Sequence, residues 1–349
     1  MHVLSVRHLT TYRYKEPVEL GEHRMMFRPR ESHDLRLIRT RLDITPQPKE
    51  LRWLHDVFDY SVAVATFSGA TTLLRFDSTM TLEHVETKLP EYALESVARR
   101  FPFEYPHDER PDLAQALHRP DPCVEIDRWA ARFLTASEAH AQPAETTASS
   151  RAIGTIDPSP AIGTIDPSPA IGTIDPSRAI GTIDPSRAIG TMDLLRAMAL
   201  GIRQQLRYTR REERGVQTPV ETLRHGSGTC RDFAWLMIDA VRSLGLAARF
   251  VSGYIFVPDA APASPAGSLD PDDGGSTHAW LQVYLPGAGW VDFDPTNSLI
   301  GNRNLIRVAV AWSPMQALPL WGTYRGSASS CLGMQVAVSV TENEIPMFS

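Results

Sequence analysis

Gly226-Ser227-Gly228-Thr229-Cys230-Arg231-Asp232-Phe233-Ala234 reads as a tight turn into a helix that opens on a cysteine. Two glycines let the backbone turn tightly into a helix. Thr229, with Asp232 three residues on, reads as an N-cap with an acidic capping-box partner, which places Cys230 in the first helical turn. There the free N–H groups and the positive end of the helix dipole favour a thiolate and can stabilise an oxyanion. Phe233, Leu236, Met237, Ala240, Val241 and Leu244 then recur at three- and four-residue spacing as one apolar stripe, and Gly245 ends the run.

Downstream, Ala248 to Val257 is β-rich, and His278 to Leu285 alternates. Ala279, Leu281, Val283 and Leu285 share one face; His278, Trp280, Gln282 and Tyr284 share the other. Pro286-Gly287-Ala288-Gly289 reads as a turn, with Trp290 to Asp294 returning as a second strand. With a four-residue turn, Leu285 faces Trp290 and Asp294 faces Leu281, which leaves the acid short of His278. A different register or a bulge closes that gap, and Asn297 is the alternative partner. Cysteine, histidine and acid in this chain order match a thiol acyl-transfer site. Zinc is a poor reading, because no second Cys or His sits at ligand spacing around Cys230 or His278.

These blocks resemble the bacterial transglutaminase-like superfamily. The resemblance runs through Val216 to Phe256, through THAWLQVYLPGAGW and through FDPTN. It extends to Tyr12-Arg13-Tyr14, Pro17-Val18 and Met26 to Arg30, which are similar to the β-rich region preceding the family's catalytic core. Carried over position by position, the resemblance implies Cys230 as nucleophile, His278 as base and Asp294 as orienting acid, with Asp292 the competing acid. It implies an α+β, papain-like/transglutaminase-like catalytic core, a Cys-bearing helix on an antiparallel sheet, with no metal or organic cofactor. The implied reaction is acyl transfer at an amide or peptide bond, from a protein or peptide substrate to an amine or to water. One departure stands out: where the family carries a Gly-Arg-Asp-Tyr block, this chain reads Ala311-Trp312-Ser313-Pro314-Met315-Gln316. A non-catalytic binding module with a degenerate cleft is the alternative reading.

Four segments are expected. Residues 1–100 form a β-rich, sandwich-like module, because Leu4, Val6, His8 and Thr10, then Ile38, Thr40 and Leu42, alternate as strands. Residues 101–150 form a helical connector, and 194–349 form the core with its C-terminal strands. Between them, 151–193 repeats Ala-Ile-Gly-Thr-Ile-Asp-Pro-Ser-Pro/Arg every nine residues from Ala152 and decays at Met192-Asp193. Pro and Gly in every unit make this a linker, dispensable for folding. The Ala/Pro/Gly/Asp-rich segment Pro258 to Thr277 reads as a flexible insertion beside the site, in the position of a lid. His55-Asp56 reads as a turn pair.

The net charge of −6, with no basic stripe, excludes a nucleic-acid binder. Met1 to His8 lacks the apolar core of a signal peptide, and no run approaches membrane-spanning length, so no membrane partner is expected. Three widely spaced cysteines, Cys123, Cys230 and Cys331, argue for a reducing compartment, with the cytoplasm as the expectation.

Overall fold

A computed structural model of the chain describes residues 2–86, 93–135, 189–209, 215–256 and 275–343. The nonapeptide copies up to Ala188 and residues 258–274 of the expected flexible insertion lie outside the described residues, while its last three, 275–277, begin a strand. No helix among the described residues is long and apolar enough to cross a membrane.

The N-terminal region is a single antiparallel sheet in the order β2-β5-β1-β4-β3. Its strands are β1 (His2–Met25), β2 (Leu35–Thr45), β3 (Glu50–His55), β4 (Ser61–Thr66) and β5 (Ala70–His84). A sandwich was expected here, and the sequence pattern misleads for a physical reason. Alternation reports that one face of a strand is buried, not what buries it. Leu4, Val6, Met80 and Leu82 pack against Tyr254, Phe256, Ile306 and Val308 of the core, so the second layer is the core's own sheet. Asp56 forms the expected turn, its Oδ1 accepting the N–H groups of Phe58 and Tyr60 at 2.9 Å each.

The chain then crosses through β6 (Arg100–Phe101), α1 (Arg110–Leu117) and α2 (Val124–Thr135). It is next described from β7 (Ile189–Gly190), which pairs with β6, and enters α3 (Thr191–Gln205). This shifts the expected end of the linker. The last, decayed repeat copy belongs to the folded core: Ile189 is buried and Thr191 is fully so. Replacing Ile-Asp-Pro by Met-Asp-Leu in that copy removes the helix-breaking proline and lets α3 begin. Deleting 152–186 should therefore leave the melting temperature nearly unchanged, whereas extending the deletion through Met192 should cost about 2–4 kcal/mol from lost core packing. Thermal unfolding of both deletions is the check; equal stabilities would contradict the boundary.

The core follows. β8 (Arg207–Tyr208) pairs with β9 (Ser227–Gly228), with α4 (Pro219–His225) before β9 and α5 (Cys230–Ser243) after it. A five-stranded sheet in the order β13-β12-β11-β10-β14 comprises β10 (Ala248–Phe256), β11 (Gly275–Leu285), β12 (Gly289–Asp294), β13 (Leu299–Ile300) and β14 (Leu305–Ala311). One face presents Leu281, Val283, Val291 and Phe293 to Phe233, Leu236, Met237 and Val241 of α5 in one apolar cluster, joined by α2 and α3. Each such side chain contributes roughly 1.5–3 kcal/mol on burial. Because α5 is covered on nearly every side, its polar residues Asp239 and Arg242 are also buried. Asp239 holds Arg119 in a two-pronged pair at 2.8 and 3.0 Å.

The last strands, β15 (Leu320–Arg325) and β16 (Cys331–Asn343), leave the core and pair with β1, making seven strands in the N-terminal sheet. They had been expected within the core. β1, at 24 residues, is long enough to pair with β5 and β16 along its first half and with β4 and β15 along its second.

Candidate active site

Cys230 is positioned by the turns before it. Thr218 caps α4, accepting the Glu221 N–H at 3.3 Å while Glu221 accepts the Thr218 N–H at 2.8 Å. Gly226 ends that helix at φ 61, in the left-handed region open to glycine. Gly228 is required by space: a Cβ there would lie 2.9 Å from the Asp232 Cβ. Asp232, fully buried, ties the entry together. Its Oδ2 accepts from the Thr229 N–H at 2.8 Å and Oγ1 at 2.9 Å, and its Oδ1 accepts from the Gln217 N–H at 2.7 Å. The sequence pairing of Thr229 with Asp232 is thus realised, and α5 starts at Cys230.

His278 and Asp294 meet through a register that differs from the simple hairpin. Leu281 pairs with Phe293, Val283 with Val291 and Leu285 with Gly289. The turn therefore holds three residues, Pro286 to Ala288, with Gly287 at φ 87 and Gly289 at φ 71. A four-residue turn would have set Asp294 against Leu281, on the helix-packed face. Shifting by one residue moves every side chain of the return strand to the other face. Asp294 consequently shares a face with Trp280 and His278, and its Oδ2 lies 2.8 Å from His278 Nε2.

Asp294 is wholly buried and its other oxygen is also engaged, accepting from the N–H groups of Thr296 at 2.9 Å and Asn297 at 3.3 Å. Asn297 Nδ2 donates to Asp294 Oδ2 at 2.7 Å and sits 3.4 Å from His278 Nε2. Asn297 thus supports the acid; it does not replace it. With Nε2 committed to Asp294, the ring nitrogen left for the hydrogen bond between His278 and Cys230 is Nδ1.

Burial by itself lowers the His278 pKa, but the Asp294 charge and hydrogen bond, joined by Cys230, outweigh it and raise it to about 10. Burial likewise pushes the Asp294 carboxyl up, and the His278 charge, its hydrogen bond and Asn297 bring it below the ordinary 3.8. Stability from His278 is therefore full below its ordinary 6.5 and is lost as pH rises through about 10. The share from Asp294 is present above 3.8 and is lost as pH falls through its lower folded value. Thermal midpoints across pH 3–11 should show both declines, and a His278→Gln variant should lose the alkaline one. An unchanged alkaline limb would contradict this assignment.

Asp292, the competing acid, lies elsewhere. Paired with Gln282, its Oδ1 accepts from Trp280 Nε1 at 2.7 Å and Gln282 Nε2 at 2.9 Å. The Trp280 ring in turn stacks on His278, with centroids 6.0 Å apart at 22°. Sequence reading passed over this support, although the alternation His278-Trp280-Gln282 carried its signal.

Cys230 and His278 form the floor of a cavity of about 290 Å³. Its walls combine core residues, Ser252 to Tyr254 of β10 and Val308 and Ala309 of β14, with residues from outside the core: Tyr12, Met26 and Phe27 from the N-terminal region, Leu320 from β15, and Met334 and Val336 from β16. His8 also faces it, kept neutral by burial with its pKa lowered to about 4. The Ala311–Gln316 stretch backs the site through main-chain atoms, since the Pro314 carbonyl accepts from Arg231 Nη2 at 2.8 Å.

Comparison with known proteins follows the same division. Residues 4–83 match the bacterial transglutaminase-like N-terminal region, and residues 186–295 match the transglutaminase-like superfamily. An uncharacterized protein of Mycobacterium leprae is 31% identical over 120 residues, 34% of this chain and 40% of that protein. A protein-glutamine gamma-glutamyltransferase of Pseudomonas aeruginosa is 32% identical over 77 residues, 22% of this chain and 11% of that protein. The chain thus spans well under half the length of these relatives. In fold it is similar to a crystal structure from Cytophaga hutchinsonii of a protein provisionally named a cysteine protease, at TM-score 0.58 and 16% identity, covering 99% of this chain and 92% of that one. With a matching N-terminal region, a matching core and this shared fold, the chain belongs to the transglutaminase-like superfamily.

Proposed function

We propose that the protein is a thiol-dependent acyl transferase acting at amide or peptide carbonyls. The observation that carries this reading is His278 held between Cys230 and Asp294 at the floor of a cleft. With its pKa at about 10, His278 is protonated at neutral pH: its Nδ1 already carries the proton given up by the Cys230 thiol, and the thiolate sulfur attacks the carbonyl carbon. The C–N bond then breaks, and His278 returns the proton to the departing amine, leaving a thioester on Cys230. Asp294 holds the imidazole with Nε2–H toward itself, so that Nδ1 stays the working nitrogen. N–H groups in the first turn of α5 have no intrahelical partner and serve the oxyanion. The thioester passes its acyl group to an amine or to water.

The apolar walls suit a peptide or protein donor that brings hydrocarbon next to its carboxamide. The name of the Pseudomonas relative, a glutamine acyl transferase, supports attack at a side-chain carboxamide.

All three cysteines are partly exposed, so access alone does not separate them. Iodoacetamide labelling followed by peptide mass spectrometry should modify Cys230 at least about tenfold faster than Cys123 or Cys331, because among the described residues Cys230 alone of the three has an imidazole partner. His278→Gln should remove that advantage. Should Cys230 react no faster than Cys331, the catalytic reading fails and a binding cleft remains.

A further inference from the structure

A second cavity, of about 580 Å³, shares Val308 with the Cys230 cleft but includes neither Cys230 nor His278. It lies between the Arg30–Asp34 segment of the N-terminal region and the β10, β11, β12 and β14 strands of the core. Three guanidinium groups line it: Arg30, Arg249 and Arg307.

Arg249 is held flat for use. Its Cζ lies 3.9 Å above the centre of the Trp290 ring, and its Nε donates to Gln282 Oε1 at 2.9 Å. Among the described residues no carboxylate lies within ion-pair distance of it. The carboxylates on the lining are engaged elsewhere. Asp34 accepts from Arg307 Nη2 at 2.8 Å and from Asn302 Nδ2 at 3.0 Å. Asp292 is occupied by Trp280 and Gln282, and Glu31 by the Leu37 N–H at 2.8 Å. Burial, and secondarily the like charges of Arg307 and Arg30, bring the Arg249 pKa down to about 10 even with Tyr60 and Asp292 opposing. This half-buried guanidinium stands beside two others, and among the described residues nothing accepts from its Nη groups, which leaves them open to an anion in the cavity.

From this arrangement we infer a second ligand site, for a small molecule that presents a carboxylate or phosphate to Arg249 in the cavity between the N-terminal sheet and the core. A planar fork fixed on an aromatic face suits two-pronged recognition of either oxyanion. The volume falls within the usual range for small-molecule sites, about 300–1,000 Å³. The site stands independently of the acyl-transfer reading, since it shares no reacting group with it.

The test is calorimetric titration of the full chain with inorganic phosphate and, separately, with glutarate, at constant ionic strength set by chloride. Saturable binding of either probe is expected, and the stronger one names the oxyanion class. Arg249→Gln should weaken it at least about tenfold, as loss of a two-pronged charged contact predicts. Arg30→Gln, at an exposed position, should weaken it about threefold and remains informative if Arg249→Gln does not fold. Cys230→Ala should bind as the unaltered chain does. The inference is overturned if neither probe binds above the chloride control, if both arginine variants bind undiminished, or if Cys230→Ala abolishes binding and so moves the anion to the cleft.

Discussion

Asp294→Asn should lower turnover by orders of magnitude, about 10⁴-fold by the general behaviour of such orienting acids, while the fold is retained. The hydrogen bonds around the carboxylate dictate the outcome. Its Oδ1 accepts two main-chain N–H groups, from Thr296 and Asn297, so the asparagine oxygen must stay there. The amide nitrogen is then forced toward His278 Nε2, which must accept a proton and not carry one. The ring takes the Nδ1–H tautomer, and the nitrogen facing Cys230 can no longer receive the thiol proton. The new amide also meets Asn297 Nδ2, a second donor, where the carboxylate had accepted at 2.7 Å. Asp292→Asn should cost much less, because its oxygen can keep the Trp280 and Gln282 bonds. Turnover of glutamine–amine and peptide substrates by both variants, with circular dichroism for folding, is the measurement. Near-normal activity for Asp294→Asn alongside an inactive Asp292→Asn would reverse the two acids.

The largest loss of stability is expected at Arg242, which is 5% exposed. Its guanidinium donates to the carbonyls of Ala116, His118, Ala248 and Trp312 at 2.8–3.3 Å, tying α1, β10 and the end of β14 to α5. Burial lowers its pKa to about 10, which leaves it charged throughout the neutral range. Arg242→Met keeps the volume but removes the donors, and each buried carbonyl left unpaired costs about 1–3 kcal/mol. After relaxation a loss of about 3–5 kcal/mol is expected, read as a shift of the urea midpoint at unchanged slope. Arg242→Lys should recover little of it, because a point charge cannot span four carbonyls as a fork does. A midpoint within experimental error of wild type for Arg242→Met would show that water satisfies those carbonyls.

The local parts of the site are legible in the residues alone. Glycines, a cap and an apolar stripe specify a helix beginning at Cys230, and period-two alternation specifies the strand bearing His278, because both signals are complete within about fifteen residues. Even the capping bond from Thr229 to Asp232 could be read from their spacing. Features that depend on a partner distant in the chain, or on one residue of register, emerge only in the folded molecule. The face of Asp294 turned on whether the hairpin loop holds three residues or four, and composition does not distinguish these when Gly287 and Gly289 both accept positive φ. The buried face of β1 was legible as buried, but its cover, the core sheet, was not, since alternation is indifferent to what lies above it. For the same reason β15 and β16 could not be assigned to the N-terminal sheet from their pattern: their partners on β1 are some three hundred residues away. Those strands wall the cleft above Cys230, so the reacting atoms were written locally while the shape presented to a substrate was set by long-range pairing.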